Sequence, residues 1–197
     1  MILTPEESAL VVRADWLYLK HRIMEKAISL LGQVQEAVGQ LPQWNHVPGG
    51  VPALALGAKI AKGERYKDLP YAILDYPRLF SRDDIFALRT MFWWGHDFTA
   101  TLHLAGHSLL RHRPALRLAQ SRLAASGAQL YLPEDPWQHE MGEGIYQPLE
   151  ACSAAAWEGA LEQDFLKLAK PFALQDWEGV VPAIRAFYEA VLDTMQV

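Results

Sequence analysis

The chain begins with a pattern of polar and apolar residues typical of a helix. Thr4, Pro5 and Glu7 form a capping-box sequence: threonine caps the helix, proline suits its first position, and glutamate reaches back to the cap. Apolar residues then recur every three or four positions, so that they share one face of a helix. The pattern predicts one long N-terminal helix over residues 5–40.

Such a helix would be about 54 Å long at 1.5 Å per residue, which is long for a small domain. A second apolar stripe, from Leu10 to Leu31, widens its apolar face, so we expect it to contact more than one neighbour. Either Gly32 and Gly39 bend or break this helix, or part of it packs against a second copy of the chain.

Residues 63–106 carry the clearest strand patterns in the chain. A short strand flanked by prolines is predicted over residues 70–77, PYAILDYP. Ser81 is followed closely by acidic residues, which predicts the start of a short helix. Aromatic and β-branched side chains are concentrated in residues 90–94 and 98–104, and the glycine-containing turn between them predicts a β-hairpin.

The hairpin interpretation assigns side chains to faces. Trp93 and Trp94 would point to opposite faces of the first strand, one of them into the core. In the second strand, Phe98 and His103 would lie on opposite faces. A helix over residues 82–94 is the alternative, because apolar residues there also fit helical spacing.

The remaining residues alternate between helix and strand patterns. A helix is predicted over residues 114–126, followed by strands over 129–132 and 144–147. The tail has a helical pattern, with a break near Pro171 and a last amphipathic helix over about 175–195.

The composition is that of one folded domain. Hydrophobic residues make up 51% of the 197 and charged residues 21%, with no linker-like tract. Together with the element order, this predicts a single α+β domain over residues 1–197, in which a small, mostly antiparallel sheet packs with several helices. Cys152 is the only cysteine, which excludes an intrachain disulfide and a cysteine-cluster zinc site. The N-terminal residues lack a signal-peptide pattern and no apolar run is long enough for a membrane span, so we expect a cytoplasmic protein without membrane association.

Charge is distributed unevenly along the chain. The net charge is −5, yet residues 98–133 contain no acid and carry four arginines, whereas acids far outnumber bases in residues 134–197. The distribution predicts that the basic segment packs beside the acidic C-terminal part; the alternative is an anion site for a phosphate or carboxylate ligand. Nucleic acid is not an expected partner, because a chain of negative net charge with one short basic patch attracts phosphate weakly.

Part of the central region resembles a known group of proteins. Residues 63–80, GERYKDLPYAILDYPRLF, followed by RTMFWWG at residues 89–95, are similar to a family of conserved bacterial proteins of unknown function. The resemblance lies within residues 63–106, about a quarter of the chain. It implies a bacterial, cytoplasmic, globular protein, and it implies no activity, cofactor or site residue.

Histidines cluster in the hairpin region and suggest a first kind of site. His96, Asp97, His103 and His107 are the residue types that bind zinc, iron or nickel, and three of them could close a catalytic metal site. His103 and His107 are four residues apart, which places them on one face only if the segment is helical. The alternative is that these are solvated or hydrogen-bonded loop histidines.

Polar groups at the strand ends suggest a second kind of site. Acidic, basic and aromatic side chains are concentrated where the first strand ends and the hairpin begins, a mixture that suits a small anionic or aromatic ligand. The alternative is that the acids and arginines only pair with each other beside the sheet. The predicted ligand-binding residues are Tyr71, Asp75, Arg78, Arg89, Trp94 and His103.

No motif assigns an enzyme class or a cofactor. The chain lacks GxSxG, a phosphate-binding glycine-rich loop and GxGxxG, and His139-Glu140 is only half of HExxH because Glu143 occupies the second histidine position. The sequence therefore favours a binding module with a ligand or partner site beside the sheet. The alternatives are a metal-dependent enzyme that uses the His/Asp cluster and a regulatory or structural homodimer built on the N-terminal helix.

Overall fold

A seven-stranded antiparallel sheet forms the centre of the structure, a computed structural model that describes residues 2–196. The spatial order of the strands is β1-β2-β3-β4-β7-β5-β6, so the last strand in sequence lies between β4 and β5. The strands are β1 Lys59–Tyr66, β2 Leu69–Phe80, β3 Asp84–Trp93, β4 Asp97–Ala105, β5 Gln129–Tyr131, β6 Tyr146–Pro148 and β7 Phe165–Ala173.

Within residues 2–196, seven α-helices and three short 3₁₀ turns accompany this sheet, which confirms the α+β class. The helices are α1 Pro5–Val11, α2 Asp15–Gly39, α3 Gly50–Ala55, α4 Gly106–Arg117, α5 Gln120–Ala125, α6 Ala154–Leu161 and α7 Val180–Asp193. The 3₁₀ turns are Pro42–Asn45, Leu149–Ala151 and Leu174–Asp176. No helix of the described chain has the length and apolar character that crossing a membrane requires.

One face of the sheet, called here the first face, packs against the helices. Alternate residues of its strands, such as Leu74, Leu88 and Leu102, are at most 2% exposed and join the core cluster that also contains residues of α2 and α7. Because side chains alternate along a strand, the residues between them point to the opposite, second face. The Tyr188 hydroxyl of α7 donates to the backbone oxygen of Arg89 at 2.7 Å, which ties this helix to the sheet.

The second face is covered by a different kind of structure. Residues 132–145, which connect β5 to β6 and are called here the crossing segment, contain no helix or strand. They make contacts from Lys167 on β7 to Tyr66 on β1, and therefore run across the sheet. Loops of this length without secondary structure are uncommon in compact domains and are usually functional.

The hairpin prediction is confirmed. Strands β3 and β4 pair with Phe92 opposite Phe98 and Ala87 opposite His103, so phenylalanine and histidine lie on opposite faces as expected. Trp93 and Trp94 also separate: Trp93 pairs with Tyr71 on the second face, and Trp94 packs against the first-face core.

The single helix predicted over residues 5–40 is wrong, since the structure has two helices there. Residues 12–14 separate α1 from α2, whereas Gly32 lies inside α2, and Gly39 ends it. All residues from 2 to 19 are exposed, so no tertiary packing favours a continuous helix across the break.

Two further helix predictions are wrong because sheet pairing overrides the local pattern. The short helix predicted after Ser81 is absent, and Asp84 begins β3. The helical interpretation of the tail fails at β7, where Leu166 and Leu168 alternate into the first-face core and the backbone pairs with β4 along its length. The predicted helix over residues 114–126 is divided between α4 and α5.

The charge asymmetry is explained by packing between the basic and acidic segments. Arg117 contacts Glu158 and Glu162 of the acidic part, and Arg113 donates to Glu162 at 3.0 Å. These contacts join α4 to the α6 region, as the sequence predicted.

Candidate ligand site beneath the crossing segment

The site is centred on an ion pair between neighbouring strands. Asp75 of β2 and Arg89 of β3 are direct partners in the sheet register and project onto the second face. The guanidinium donates two hydrogen bonds to the carboxylate, at 2.7 and 2.9 Å, in the planar two-point geometry that arginine forms with carboxylates. The two side chains are only 16% and 14% exposed, so the pair is fixed and largely shielded from water.

The crossing segment contributes His139 to this pair. Its Nε2 lies 2.9 Å from Nη1 of Arg89, and its backbone N–H donates to the Tyr66 hydroxyl at 2.8 Å. Burial, reinforced by Arg89, lowers the pKa of His139 to about 3. The imidazole is therefore neutral at neutral pH and accepts the hydrogen bond from the arginine.

Lys167 of β7 attaches the crossing segment to the sheet. Its Nζ donates to the backbone oxygens of Pro136 at 2.8 Å and Gln138 at 2.7 Å, and it lies 3.9 Å from the centre of the Tyr131 ring. The residue is 2% exposed. Burial, with a contribution from the Arg89 charge, lowers the pKa of Lys167 to about 7, while Asp135 acts in the opposite direction.

His103 of β4 lies beside Lys167 in the sheet register. Its ring contacts Trp137 of the crossing segment and Phe165 of β7, with ring centres 5.7 and 5.8 Å away. The residue is 5% exposed, and its Nε2 has no hydrogen-bond partner within residues 2–196. Burial, followed by the charges of Lys167 and Arg89, lowers the pKa of His103 to about 3.

A cavity of about 500 Å³ lies at the start of the crossing segment. Its sheet-side wall includes Tyr131, Phe165 and Lys167, and its outer wall includes Pro133 and Pro136 of the crossing segment. The size is within the usual range for small-molecule pockets. An aromatic and apolar wall with one buried amine is therefore available to a ligand.

Most of the predicted ligand-binding residues lie on this face. Tyr71, Asp75, Arg78 and Arg89 project onto it by strand pairing, as does His103. Asp75, Arg89 and His103 are at most 16% exposed and Arg78 is exposed, and none of these four lines the cavity. Tyr71 lies beside Tyr66 of β1, and the centres of the two rings are 6.1 Å apart.

Trp94 does not join the predicted site. It packs edge to face against Phe92, with ring centres 6.3 Å apart, and contacts the first-face core. Strand alternation gives the reason, since Trp93 and not Trp94 has the parity of the second face.

The predicted metal residues do not form a cluster. His96 stacks on Trp93 with ring centres 3.5 Å apart, Asp97 accepts a hydrogen bond from Thr99, and exposed His107 belongs to α4 rather than to the strand that holds His103. Within residues 2–196, no group of three or more histidine, cysteine, aspartate or glutamate side chains is arranged to hold a metal ion. The four-residue spacing fails because a strand ends and a helix begins between the two histidines.

Sequence reasoning missed the half of the site that comes from late in the chain. Lys167 was assigned to a helix, and His139 was considered only as half of a metalloprotease motif. The alternation of FLKLAKPF, residues 165–172, is the signal that could have identified β7 and placed Lys167 opposite the leucines.

Comparison with known proteins gives no match: no family model, no curated protein sequence and no solved structure is significantly similar to this chain. The resemblance of residues 63–95 to a bacterial family is therefore not confirmed, and the site is interpreted from its own chemistry.

Proposed function

We propose that the protein is a binding module for a small aromatic carboxylate, which enters the cavity beneath the crossing segment and places its anionic group on Lys167. The observation that carries this proposal is a buried lysine on the cavity wall that forms no ion pair within residues 2–196. Its two hydrogen bonds go to backbone oxygens instead.

The charge balance of the site supports an anion. Arg89 and Lys167 are two largely buried cations on the second face, and both oxygens of the Asp75 carboxylate are already engaged by Arg89. Asp135, which raises the pKa of Lys167, is exposed and forms no ion pair with it, so a ligand carboxylate would provide the close counter-charge that a buried cation requires. Protonated lysine has three N–H donors, of which the two carbonyl oxygens use two, so the third remains for a ligand beside the Tyr131 ring.

Acidic residues at the cavity do not cancel the attraction between Lys167 and a ligand carboxylate. Glu134 and Asp164 also line it, but both are exposed to solvent, where charges are strongly screened. Lys167 is buried, so its interaction with a ligand charge is stronger. The rings of Tyr131 and Phe165 give an aromatic ligand its apolar contact.

Benzoate tests the proposal directly by isothermal titration calorimetry. We expect the wild-type protein to bind benzoate and to bind the neutral benzyl alcohol much more weakly. Lys167→Met should reduce the benzoate affinity roughly 10- to 100-fold, because a charged hydrogen bond is worth about 1.5–3 kcal/mol. Lys170→Met is the matched control: this lysine is on the same strand, pairs with Ala100 on the first face, and donates to the Ser126 backbone oxygen at 2.8 Å.

The pH dependence gives an independent signature of Lys167. Because its pKa is about 7 in the free protein, benzoate affinity should fall by up to tenfold per pH unit between about pH 7 and 9, as the amine loses its proton. The proposal is wrong if the wild type does not bind benzoate, if benzyl alcohol binds equally well, or if Lys167→Met leaves the affinity unchanged.

A further inference from the structure

The first residues of the described chain form a segment without buried side chains. All residues from 2 to 19, called here the arm, are exposed, and α1 contains no buried residue. Several of them are large and apolar, including Val12 at 81%, Val11 at 69% and Tyr18 at 68% exposure. An exposed apolar surface of this extent usually marks an interface.

Helix stability indicates that something covers the arm. Helix α1 has only seven residues, and isolated helices of fewer than about 12 residues are marginal in water. Its capping box, in which Thr4 and Glu7 bond reciprocally, compensates for only part of this cost. A regular α1 therefore requires a surface to pack on, and within residues 2–196 its own chain supplies none.

A groove of matching character lies at the base of the arm. It has a volume of about 390 Å³, and apolar side chains such as Trp16, Leu19, Ile23 and Trp94 line it. The groove is formed where the start of α2 passes the β1–β2 turn. Its size and composition suit apolar side chains of a helix such as α1.

Charges distinguish the two surfaces and make them complementary. The segment from 2 to 12 carries Glu6 and Glu7 and no base, which gives −2. Strand β1 contains two lysines, one arginine and one glutamate, which gives +2, and Lys67 after it is already paired with Glu140. In the groove itself Lys20 pairs with Glu64 and Asp68 is acidic, so the charge that is complementary to the acidic helix comes from the bases of β1 beside the groove.

We propose that the arm docks on a second copy of this chain, with α1 of each protomer in the groove of the other. In such a reciprocal exchange, one two-fold symmetric interface covers both arms. The exposed apolar side chains of both arms would enter this interface, and a stable complex of this kind buries roughly 800 Å² per partner. Glu6, Glu7 and Asp15 make an anionic lipid surface a poorer match than the basic edge of β1.

Light scattering after size exclusion tests the stoichiometry. The wild-type chain should have twice its 22.2 kDa mass at micromolar concentrations. Val12→Asp should shift it to the monomer mass with unchanged circular dichroism of the domain, since the side chain is exposed. Leu118→Asp is the control, because this leucine is 85% exposed at the end of α4 and should leave the dimer intact.

Disulfide trapping tests the exchange itself. Val12→Cys combined with Asp68→Cys, a residue that lines the groove, should give a covalent dimer on a non-reducing gel; the native Cys152 is buried. A crosslink within one chain would show that the arm folds back on its own groove and would overturn the proposal. A monomeric wild type would do the same, whether or not the arm binds lipid vesicles.

Discussion

His103 and Lys167 are neighbours on the second face, and the charge of the lysine disfavours a positive charge on the histidine. The histidine makes no hydrogen bond through Nε2, and it lies between the rings of Trp137 and Phe165. Its folded-state pKa of about 3 lies below the ordinary 6.5, so protonation favours the unfolded chain. This pKa difference changes the free energy of unfolding only at pH values where the folded and unfolded states bind different numbers of protons.

Acid stability should therefore depend on His103. Between pH 6.5 and about 3 the unfolded state binds the proton and the folded state does not, so stability falls as pH falls, by up to about 1.4 kcal/mol per pH unit for this group. Urea denaturation across this range should show a shallower loss in His103→Leu than in the wild type. His21→Leu is the control at an exposed histidine, and an equal slope in all three proteins would contradict the prediction.

Single residues of the site could be predicted to different extents from the sequence. Asp75, Arg89 and His103 were identified because their strands follow one another in the chain and pair with short turns. Lys167 and His139 were not, since their place depends on β7 pairing with β4 and on the path of the crossing segment. Local patterns do not carry information about such distant pairings.

At the scale of elements, the junction between β4 and α4 depends on β3. Helix α4 has Ala105 at its N-cap position, which offers no side-chain acceptor. The Asp84 carboxylate of β3 accepts instead from the backbone N–H of Ser108 at 2.7 Å. Gly106 is required at the turn because its φ is +56° and a β-carbon would lie 1.9 Å from the Asp83 backbone oxygen.

Removing this cap should destabilise the domain measurably. Asp84→Ala leaves the Ser108 N–H without its partner, and losing an N-terminal cap costs about 1 kcal/mol. Asp83→Ala changes the preceding, exposed acid and should be nearly neutral. The comparison is made by equilibrium urea denaturation, and equal midpoints for the two variants would contradict the assigned role of Asp84.

The same junction explains why the residues after Ser81 have a helix-start pattern although no helix begins there. A serine followed by acidic residues has the chemistry of a helix start, and Asp84 indeed caps a helix. The helix that it caps begins more than twenty residues later, at Gly106. The local sequence predicts the capping chemistry, and only the tertiary structure determines which helix receives the cap.

At the scale of the whole molecule, β5, β6 and the crossing segment form the most weakly attached part of the sheet. Strand β5 pairs with β7 at only two positions, whereas β4 pairs with β7 along nine. Few ladder bonds mean a low free energy of local opening. This part also forms the outer wall of the cavity, so its opening would admit a ligand.

Amide hydrogen exchange should detect this opening. Backbone amides of Leu132 and Tyr146 are expected to exchange at least an order of magnitude faster than those of β4, and Lys167→Met should accelerate exchange across residues 136–140 by releasing the two carbonyl contacts. Exchange in α7 should not change. Uniformly slow exchange across residues 132–146 would show that the crossing segment is fixed.

The position of β7 has a consequence for synthesis of the chain. Strands β1 to β4 emerge from the ribosome in the order in which they pair, but the outer edge of β4 has no partner until residues 165–173 follow. An apolar edge strand that temporarily lacks a hydrogen-bonded partner can pair with another nascent chain. The domain thus depends on about the last sixth of its sequence to protect the middle of its sheet, and a chain truncated before Phe165 would expose a template for aggregation.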